Sequence, residues 1–136
     1  MSTKLKEKEA KIEQIITKLA EESAKGKPII VEGKKDEQTL RILGVNGVIV
    51  KVKTGGKSFL ETTEEIEKLG AREVILLLDF DRRGKEGTLC LQRNLERSKI
   101  KINLMFWHDL QALVGREMQC IESLTSYLST LQEKTK

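Results

Sequence analysis

The stretch VILLLDFDRRGKEG, residues 74–87, joins an aliphatic run to two aspartates that stand one residue apart. A run this apolar is typical of a central strand in a parallel sheet, where both faces of the strand are buried. Because burying an unpaired charge is costly, Asp79 and Asp81 should either be exposed at the end of the strand or interact with a positive group. The function of residues 74–87 depends on which positive group this is.

The composition indicates a single domain and suits a polyanionic partner. The chain has 136 residues, and 25 Lys and Arg against 21 Asp and Glu give a net charge of +4. No apolar stretch approaches the ~20 residues that span a membrane, and the first residues lack the apolar core of a signal peptide. Cys90 and Cys120 lack metal-type spacing and are expected to be reduced and half-buried. We therefore expect a cytoplasmic protein without a membrane partner.

Alternating patterns along the chain predict an α/β fold, a four-stranded parallel sheet flanked by helices. We expect a charged helix at 3–25, strands at 28–32, 47–53, 73–80 and 100–107, helices at 36–43, 58–69 and 82–98, and a helical tail from about 110 that breaks near Gly115. The suggested strand order is 2-1-3-4. We expect three parts along the chain. Residues 1–26 form an N-terminal charged helix that packs on the domain, residues 27–110 form the α/β core, and residues 111–136 form a C-terminal helical extension.

Acidic residues stand at the carboxyl ends of the first and third predicted strands. Glu32 ends the first, and Asp79 and Asp81 lie at the end of the third. In a 2-1-3-4 sheet these strands are neighbours, so the three carboxylates would meet at the switch point where α/β proteins bind ligands. Clustered carboxylates repel one another, and a hard cation such as Mg²⁺ or Mn²⁺ is their natural partner. We therefore predict that these three residues bind a divalent metal ion.

Structural roles for the same acids remain open at this point. Either aspartate can cap the following helix or pair with Arg82 or Arg83, and Glu32 can pair with Lys34 or Lys35. Each acid taken alone is better explained in this way. Their joint position at the ends of two strands favours a site.

Two motifs then resemble the signatures of the Toprim domain family. IIVEGKKDEQTL, residues 29–40, is similar to its apolar strand followed by Glu-Gly-x-x-Asp. LLLDFDRRG, residues 76–84, is similar to its apolar strand followed by Asp-x-Asp-x-x-Gly, at the expected distance of about fifty residues. The resemblance covers roughly residues 27–110. The Glu-Gly-Lys form at 32–34 is most similar to small stand-alone archaeal Toprim proteins and to the Toprim domain of the ribonuclease that matures 5S ribosomal RNA.

The resemblance implies a Mg²⁺- or Mn²⁺-dependent nuclease that cleaves phosphodiester bonds in RNA or DNA. It assigns metal binding to Asp79 and Asp81, and to Glu32 a catalytic role as general acid or base or a share of the metal. Asp36 matches the last residue of the first motif, although capping the first helix of the core explains it equally well.

Basic residues follow the first three strands and should offset the carboxylates when a phosphodiester approaches. These predicted nucleic-acid-binding residues are Lys34, Lys35, Lys57, Arg82, Arg83 and Lys85. Each one alone fits a solvated surface as well. Gly33 and Gly84 of the two motifs should leave room for backbone and phosphate beside the metal.

Other interpretations stay open. A non-catalytic nucleic-acid-binding or scaffold protein within a larger complex is the competing function, and a homodimer through the first helix is a further arrangement. A small-molecule phosphotransferase fits less well, because Arg83 stands where aspartyl-phosphate enzymes need Thr or Val. His108 is expected to be structural, Phe106 and Trp107 to fill the core, and Tyr127 to pack rather than serve as a strand-transfer nucleophile.

Overall fold

The computed structural model describes residues 3–52 and 58–135. Its elements, in chain order, are α1 (Thr3–Ala24), β1 (Ile29–Val31), α2 (Lys34–Ile42), β2 (Ile49–Lys51), α3 (Phe59–Lys68), β3 (Glu73–Leu76), α4 (Arg82–Arg97), β4 (Lys101–Asn103), α5 (Met105–Val114), a 3₁₀ turn (Ile121–Ser123) and α6 (Leu124–Thr135). Within these ranges no helix combines the length and apolar character that crossing a membrane requires.

The four strands form one parallel sheet in the order β2-β1-β3-β4. β1 is central, and its Ile29 pairs with Ile49 of β2 on one side and with Ile75 of β3 on the other. The predicted α/β class and the order 2-1-3-4 are therefore confirmed. The carboxyl ends of β1 and β3, which carry the predicted acids, lie side by side.

The sheet has a hydrophobic layer on each face, because successive strand residues point to opposite sides. On one face, Ile29, Val31 and Leu77 pack with α1, α2, α5 and α6. On the other face, Ile30 and Leu76 pack with α3 and α4. The helix after β1 thus covers the first face, whereas the helix after β3 covers the second. β1 and β3 flank the point at which helices change face, where open α/β sheets bind ligands.

The fourth strand is shorter than predicted. The expectation of a strand over 100–107 is wrong at its end, because α5 begins there. The side-chain oxygen of Asn103 accepts a hydrogen bond from the backbone N–H of Met105 at 2.9 Å, a local bond that turns the chain out of the sheet. Phe106 and Trp107 are 2% and 6% exposed, so their predicted place in the core is confirmed on a helix instead of a strand.

A C-terminal segment, which we define as residues 119–123, runs between α5 and α6 and contacts the carboxyl edge of the sheet. The helical tail is interrupted after α5, as the sequence predicted. The backbone N–H of Phe80 donates to the carbonyl of Gln119 at 2.7 Å, and the hydroxyl of Thr39 donates to the carbonyl of Glu122 at 3.1 Å. This segment therefore bridges the chain after β3 and the helix after β1.

Candidate metal centre

Four carboxylates converge where β1 and β3 end, and we call them the acidic cluster: Glu32, Asp36, Asp79 and Asp81. Glu32 follows β1 directly and Asp36 lies in the first turn of α2; they are 8% and 6% exposed. Asp79 and Asp81 follow β3, the first half-buried and the second exposed. The fold thus brings together the predicted acids of the two strands and adds Asp36 to them.

Asp79 is the most strongly perturbed member of the acidic cluster. Burial raises the pKa of its carboxyl to about 7, and the nearby charges of Asp36 and Glu32 add to the effect, with a smaller addition from Asp81. A hydrogen bond from the backbone N–H of Ile121 acts in the opposite direction. Its Oδ1 atom is buried and accepts no hydrogen bond within the described part of the chain. Among the described residues, no cationic side chain donates to this oxygen of Asp79.

Asp36 holds two distant backbone segments together. Its Oδ2 accepts from the N–H of Gly33 at 3.0 Å, and its Oδ1 accepts from the N–H of Glu122 at 2.9 Å. Burial raises the pKa of its carboxyl, and these two backbone hydrogen bonds lower it. Asp36 does cap α2, as the sequence allowed, but from the third helical position, because the helix begins at Lys34 and its N-cap is Gly33. Asp36 reaches back from inside the first turn to the capping residue.

Asp81 is the N-cap of α4. Its Oδ1 accepts from the backbone N–H of Gly84 at 2.8 Å, which is the capping role that the sequence left open. A Cβ at Gly84 would lie 2.0 Å from the carbonyl oxygen of Asp79, so the turn between β3 and α4 requires a glycine there. A Cβ at Gly33 would meet no atom within 4 Å. The space predicted at Gly84 is therefore taken by the protein's own backbone.

The acidic cluster fits a hydrated divalent cation better than a fully protein-coordinated one. Carboxylate oxygens are the ligands that Mg²⁺ and Mn²⁺ prefer, and the buried Oδ1 atom of Asp79 accepts no hydrogen bond in the described part of the chain. Across residues 3–52 and 58–135, no three His, Cys, Asp or Glu side chains already stand in an arrangement that holds a metal ion. Mg²⁺ keeps several of its waters and commonly uses only one or two carboxylates. Asp79 and Glu32 together would supply enough carboxylate ligands for such an ion.

Basic side chains lie in the first turns of the two helices that follow β1 and β3. Five of the predicted phosphate-binding residues are exposed in the first turns of α2 and α4: Lys34, Lys35, Arg82, Arg83 and Lys85. Lys57 lies outside the described residues. Arg82 pairs with Glu86 at 3.0 Å, and no ion pair in the described ranges joins Arg82 or Arg83 to either aspartate. The sequence left open an ion pair between one of these arginines and Asp79 or Asp81, and the described residues form no such pair.

The sequence did not reveal the part played by the C-terminal segment. Ile121 and Glu122 act on the acidic cluster through backbone N–H groups, which every residue except proline possesses. Cys120 of the same segment is a free, half-buried thiol, as predicted, and burial together with the charge of Asp79 raises its pKa. Composition or spacing carries no signal for such contacts.

No family model matches the chain. A solved structure of a protein from Aquifex aeolicus has the same fold, with a TM-score of 0.69 over 81% of this chain and 94% of that one at 23% identity. Two archaeal proteins are more similar in sequence. The UPF0292 protein of Methanosarcina acetivorans is 37% identical over 125 residues, which are 92% of this chain and 85% of the relative. That of Methanocaldococcus jannaschii is 37% identical over 88% of this chain and 91% of the relative. Similarity of this extent shows that the chain belongs to the UPF0292 family.

Proposed function

We propose that this protein is a Toprim-type enzyme that uses Mg²⁺ or Mn²⁺ to cleave phosphodiester bonds in RNA or DNA. The observation that carries the proposal is the Asp79 carboxylate. It is half-buried beside Glu32 and Asp36, and its Oδ1 atom has no hydrogen-bond donor in the described ranges. Repulsion among these groups is relieved by a divalent cation. Its position at the switch point of the sheet supports a ligand site.

Each member of the acidic cluster has its own role in this proposal. A bound divalent ion supplies Lewis acidity, which activates water and stabilises a leaving oxygen. Asp79 would hold the ion, and Glu32 would transfer a proton or share the ion. Asp36 positions the turn that carries Glu32 through its bond to Gly33. Asp81 fixes the first turn of α4 as its cap and adds negative charge near the ion.

The exposed basic residues favour nucleic acid as the substrate. Lys34 and Lys35 of α2, and Arg83 and Lys85 of α4, are exposed in the first turns of the helices that follow β1 and β3. Positive charge in this position attracts a polyanion that the carboxylates alone would repel. We expect the enzyme to act in the cytoplasm, alone or within a larger assembly.

The test is a cleavage assay with labelled single- and double-stranded RNA and DNA in Mg²⁺, Mn²⁺ or EDTA. We expect cleavage with the metals and none with EDTA. Asp79→Asn should abolish it, and Glu32→Gln should slow it by about 10²–10⁴-fold if Glu32 transfers the proton. Asp109→Asn, an exposed carboxylate on α5, is the matched control and should cleave like the wild type. Equal cleavage by Asp79→Asn would identify a contaminating nuclease.

A non-catalytic binding or scaffold protein is the second candidate, and two observations favour it. Both oxygens of Asp36 and one oxygen of Asp81 are already engaged by backbone N–H groups. No ready-made three-ligand set exists within the described ranges. In this case nucleic acid should bind equally well in EDTA and remain intact in every metal. Asp79→Asn should then tighten binding, because one repulsive charge near phosphate is removed.

A further inference from the structure

The net positive charge of the chain is concentrated in α4 and the turn that follows it. Residues 82–99 contain six Lys and Arg and two Glu, so their net charge of +4 equals that of the whole chain, and the rest of the chain sums to zero. One of the two acids, Glu86, forms an ion pair with Arg82 at 3.0 Å, and the other, Glu96, accepts a hydrogen bond from Gln92 at 3.1 Å. Apart from the Arg82–Glu86 pair, this stretch therefore retains five cations against the single negative charge of Glu96.

Three of these cations lie along one exposed row of α4. Lys85, Arg93 and Arg97 form the row together with Leu89, because residues four apart are neighbours on the surface of a helix. All four side chains are exposed, and the helix buries its other side in the hydrophobic layer that it shares with α3. At about 1.5 Å per residue, the row is about 18 Å long. No ion pair within residues 3–52 and 58–135 involves these three cations.

Lys99 extends the row beyond the end of α4, at a position where the other helices have glycine. Its side chain is exposed and its φ is 62°, in the left-handed region that disfavours residues with a Cβ. The three other helices that lead into strands are followed at the same point by Gly26, Gly44 and Gly70, which also have positive φ. α4 thus has a cation where its counterparts have the residue that the backbone favours. Conformational costs of this kind cluster at functional positions.

Helix stability explains only part of this charge pattern. Arg97 and Lys99 lie at the carboxyl end of α4, where cations stabilise the helix dipole. The amino end of a helix favours acids, yet after its cap, Asp81, α4 has no acid in its first turn and has Lys85 there instead. The dipole therefore does not account for a row that is positive at both ends, whereas a partner with repeated negative charge does.

We propose that Lys85, Arg93, Arg97 and Lys99 form a track that binds the backbone of a nucleic acid where it extends away from the acidic cluster. α4 begins at that cluster, since its N-cap is Asp81, and leads away from it towards the start of β4. Guanidinium groups match the geometry of phosphate, and contacts to phosphate carry no sequence information. The track should therefore bind nucleic acid of any sequence.

The inference rests on the proposed nuclease function and adds the length of the substrate to it. One strand of B-form DNA carries a phosphate about every 3.4 Å, so a track of about 18 Å spans about five nucleotides. Strands too short to reach from the acidic cluster to Arg97 should bind weakly. Substrates that extend at least about five nucleotides beyond the scissile bond should bind and be cleaved best.

The experiment measures binding of the full chain to fluorescently labelled nucleic acid in EDTA, by anisotropy at several salt concentrations. The slope of log affinity against log salt counts the phosphates that the protein neutralises, at about 0.7 per phosphate for single strands. Arg93→Gln combined with Arg97→Gln should reduce this slope by about 1.4 and, at ~0.1 M salt, weaken binding about 25-fold. Strands of about fifteen nucleotides should show this loss, whereas strands of about four should not.

Lys11→Gln combined with Lys18→Gln is the matched control. Both lysines are exposed on α1, which packs on the other face of the sheet, and neither forms an ion pair in the described ranges. This variant loses the same charge and should keep the wild-type slope.

Lys99→Gly separates binding from stability. Glycine relieves the left-handed backbone, so the urea-unfolding midpoint should be no lower than that of the wild type. Binding of the long strand should weaken about fivefold at ~0.1 M salt, as expected for one lost phosphate contact. Unchanged binding by this variant would remove Lys99 from the track.

The outcomes separate this inference from the proposed function. A loss of slope on replacing Arg93 and Arg97, in a protein that cleaves nothing, would support the track and remove the nuclease. Cleavage that depends on Asp79 but is equally fast for short strands, and unaffected by replacing the two arginines, would overturn the track and leave the nuclease in place. An equal loss of slope in the α1 control would also overturn it. Polyglutamate represents an acidic protein surface, and if it displaced the strand as readily as unlabelled nucleic acid, the partner assigned to the track would be wrong.

Discussion

The backbone N–H of Glu122 donates a hydrogen bond to Oδ1 of Asp36 at 2.9 Å, although 86 positions separate the two residues. The other oxygen of Asp36 accepts from Gly33, so one carboxylate ties the turn after β1 to the C-terminal segment. Glu32 immediately precedes Gly33. The backbone that carries the proposed proton-transfer residue is thus held by a contact from the far end of the fold.

Asp36→Asn should loosen the C-terminal segment. The amide group has one acceptor oxygen where the carboxylate has two, so one of the two backbone N–H groups loses its partner, at a cost of about 1–3 kcal/mol in the free energy of unfolding. Removing a buried negative charge acts in the opposite direction, since burial raises the pKa of Asp36. Hydrogen exchange separates the two effects.

We expect the amide of Glu122 or that of Gly33 to exchange faster in this variant, whatever the net change in urea-unfolding stability. Asp109→Asn, which changes an exposed carboxylate on α5, should leave both amides as protected as in the wild type. Unchanged protection of both amides in Asp36→Asn would show that the connection is energetically unimportant.

Gly84→Ala should destabilise the fold by about 1–3 kcal/mol or more, the usual range for an overpacked site. The new methyl group would lie 2.0 Å from the carbonyl oxygen of Asp79, and backbone cannot move aside as a flexible side chain can. The helix propensity of alanine, worth up to about 1 kcal/mol over glycine, only partly offsets this clash. Urea unfolding measures the difference.

Gly33→Ala is the matched control for that variant. Its added methyl group meets nothing within 4 Å and its backbone is extended, with φ of −152°, a conformation open to any residue. Because alanine is a poorer N-cap than glycine, we expect a loss of about 0.5–1 kcal/mol, smaller than that of Gly84→Ala. If Gly84→Ala proved as stable as Gly33→Ala, the tight turn between β3 and α4 would not exist in solution.

The fold could be predicted from the sequence because apolar runs and helical patterns alternate in a simple way, and because parallel strands with covering helices allow few arrangements. The end of β4 could not, since the run of Leu, Met, Phe and Trp after Asn103 suits a strand or a buried helix equally. The positions of Glu32 and Asp79 were predictable from where strands end. The hydrogen bonds from Ile121 and Glu122 were not, because backbone groups leave no trace in residue type.

Divalent cations should raise the melting temperature of the wild-type protein. At a hundredfold excess over Kd, binding to the native state adds about 2.7 kcal/mol of stability. For a domain of this size the shift is about 5–10 °C, at ~2–4 °C per kcal/mol. Asp79→Asn should lose most of it and Asp109→Asn should keep it. If Mg²⁺ and Mn²⁺ at roughly 10 mM left the melting temperature of the wild type unchanged, the proposed metal site would be contradicted.

The stability of the metal-free protein should fall as pH rises from about 4 to about 7. The pKa of Asp79 is raised to about 7 in the native state, above the ordinary value near 4 that the unfolded chain has. Within this window the native state holds a proton that the unfolded state has released, so raising the pH favours unfolding. Saturating Mg²⁺ should abolish the fall, because the ion stabilises the ionised carboxylate.

The comparison that isolates this effect is the wild type against Asp79→Asn, by urea unfolding at several pH values. Other carboxylates act with the opposite sign: hydrogen bonds from Lys25 lower the pKa of Glu22, and those from Lys51 lower the pKa of Glu37. Their stabilising effect is present above their ordinary pKa and is lost as the pH falls below it. Parallel profiles for the two proteins between pH 4 and 7 would mean that Asp79 is ionised throughout.

The packing of α1 against α6 has a consequence for how the protein is made. Ile12 and Ile16 of the first helix share a hydrophobic cluster with Leu128 and Leu131 of α6, whereas the layer under α3 and α4 is complete by residue 104. A ribosome releases the chain from its N-terminus, so the apolar stripe of α1 stays only partly covered, by the sheet and α5, until α6 has emerged. The amides that reach Asp36 and Asp79 come from the same late stretch. A nascent chain therefore contains all four carboxylates of the acidic cluster before it contains the backbone donors that hold two of them.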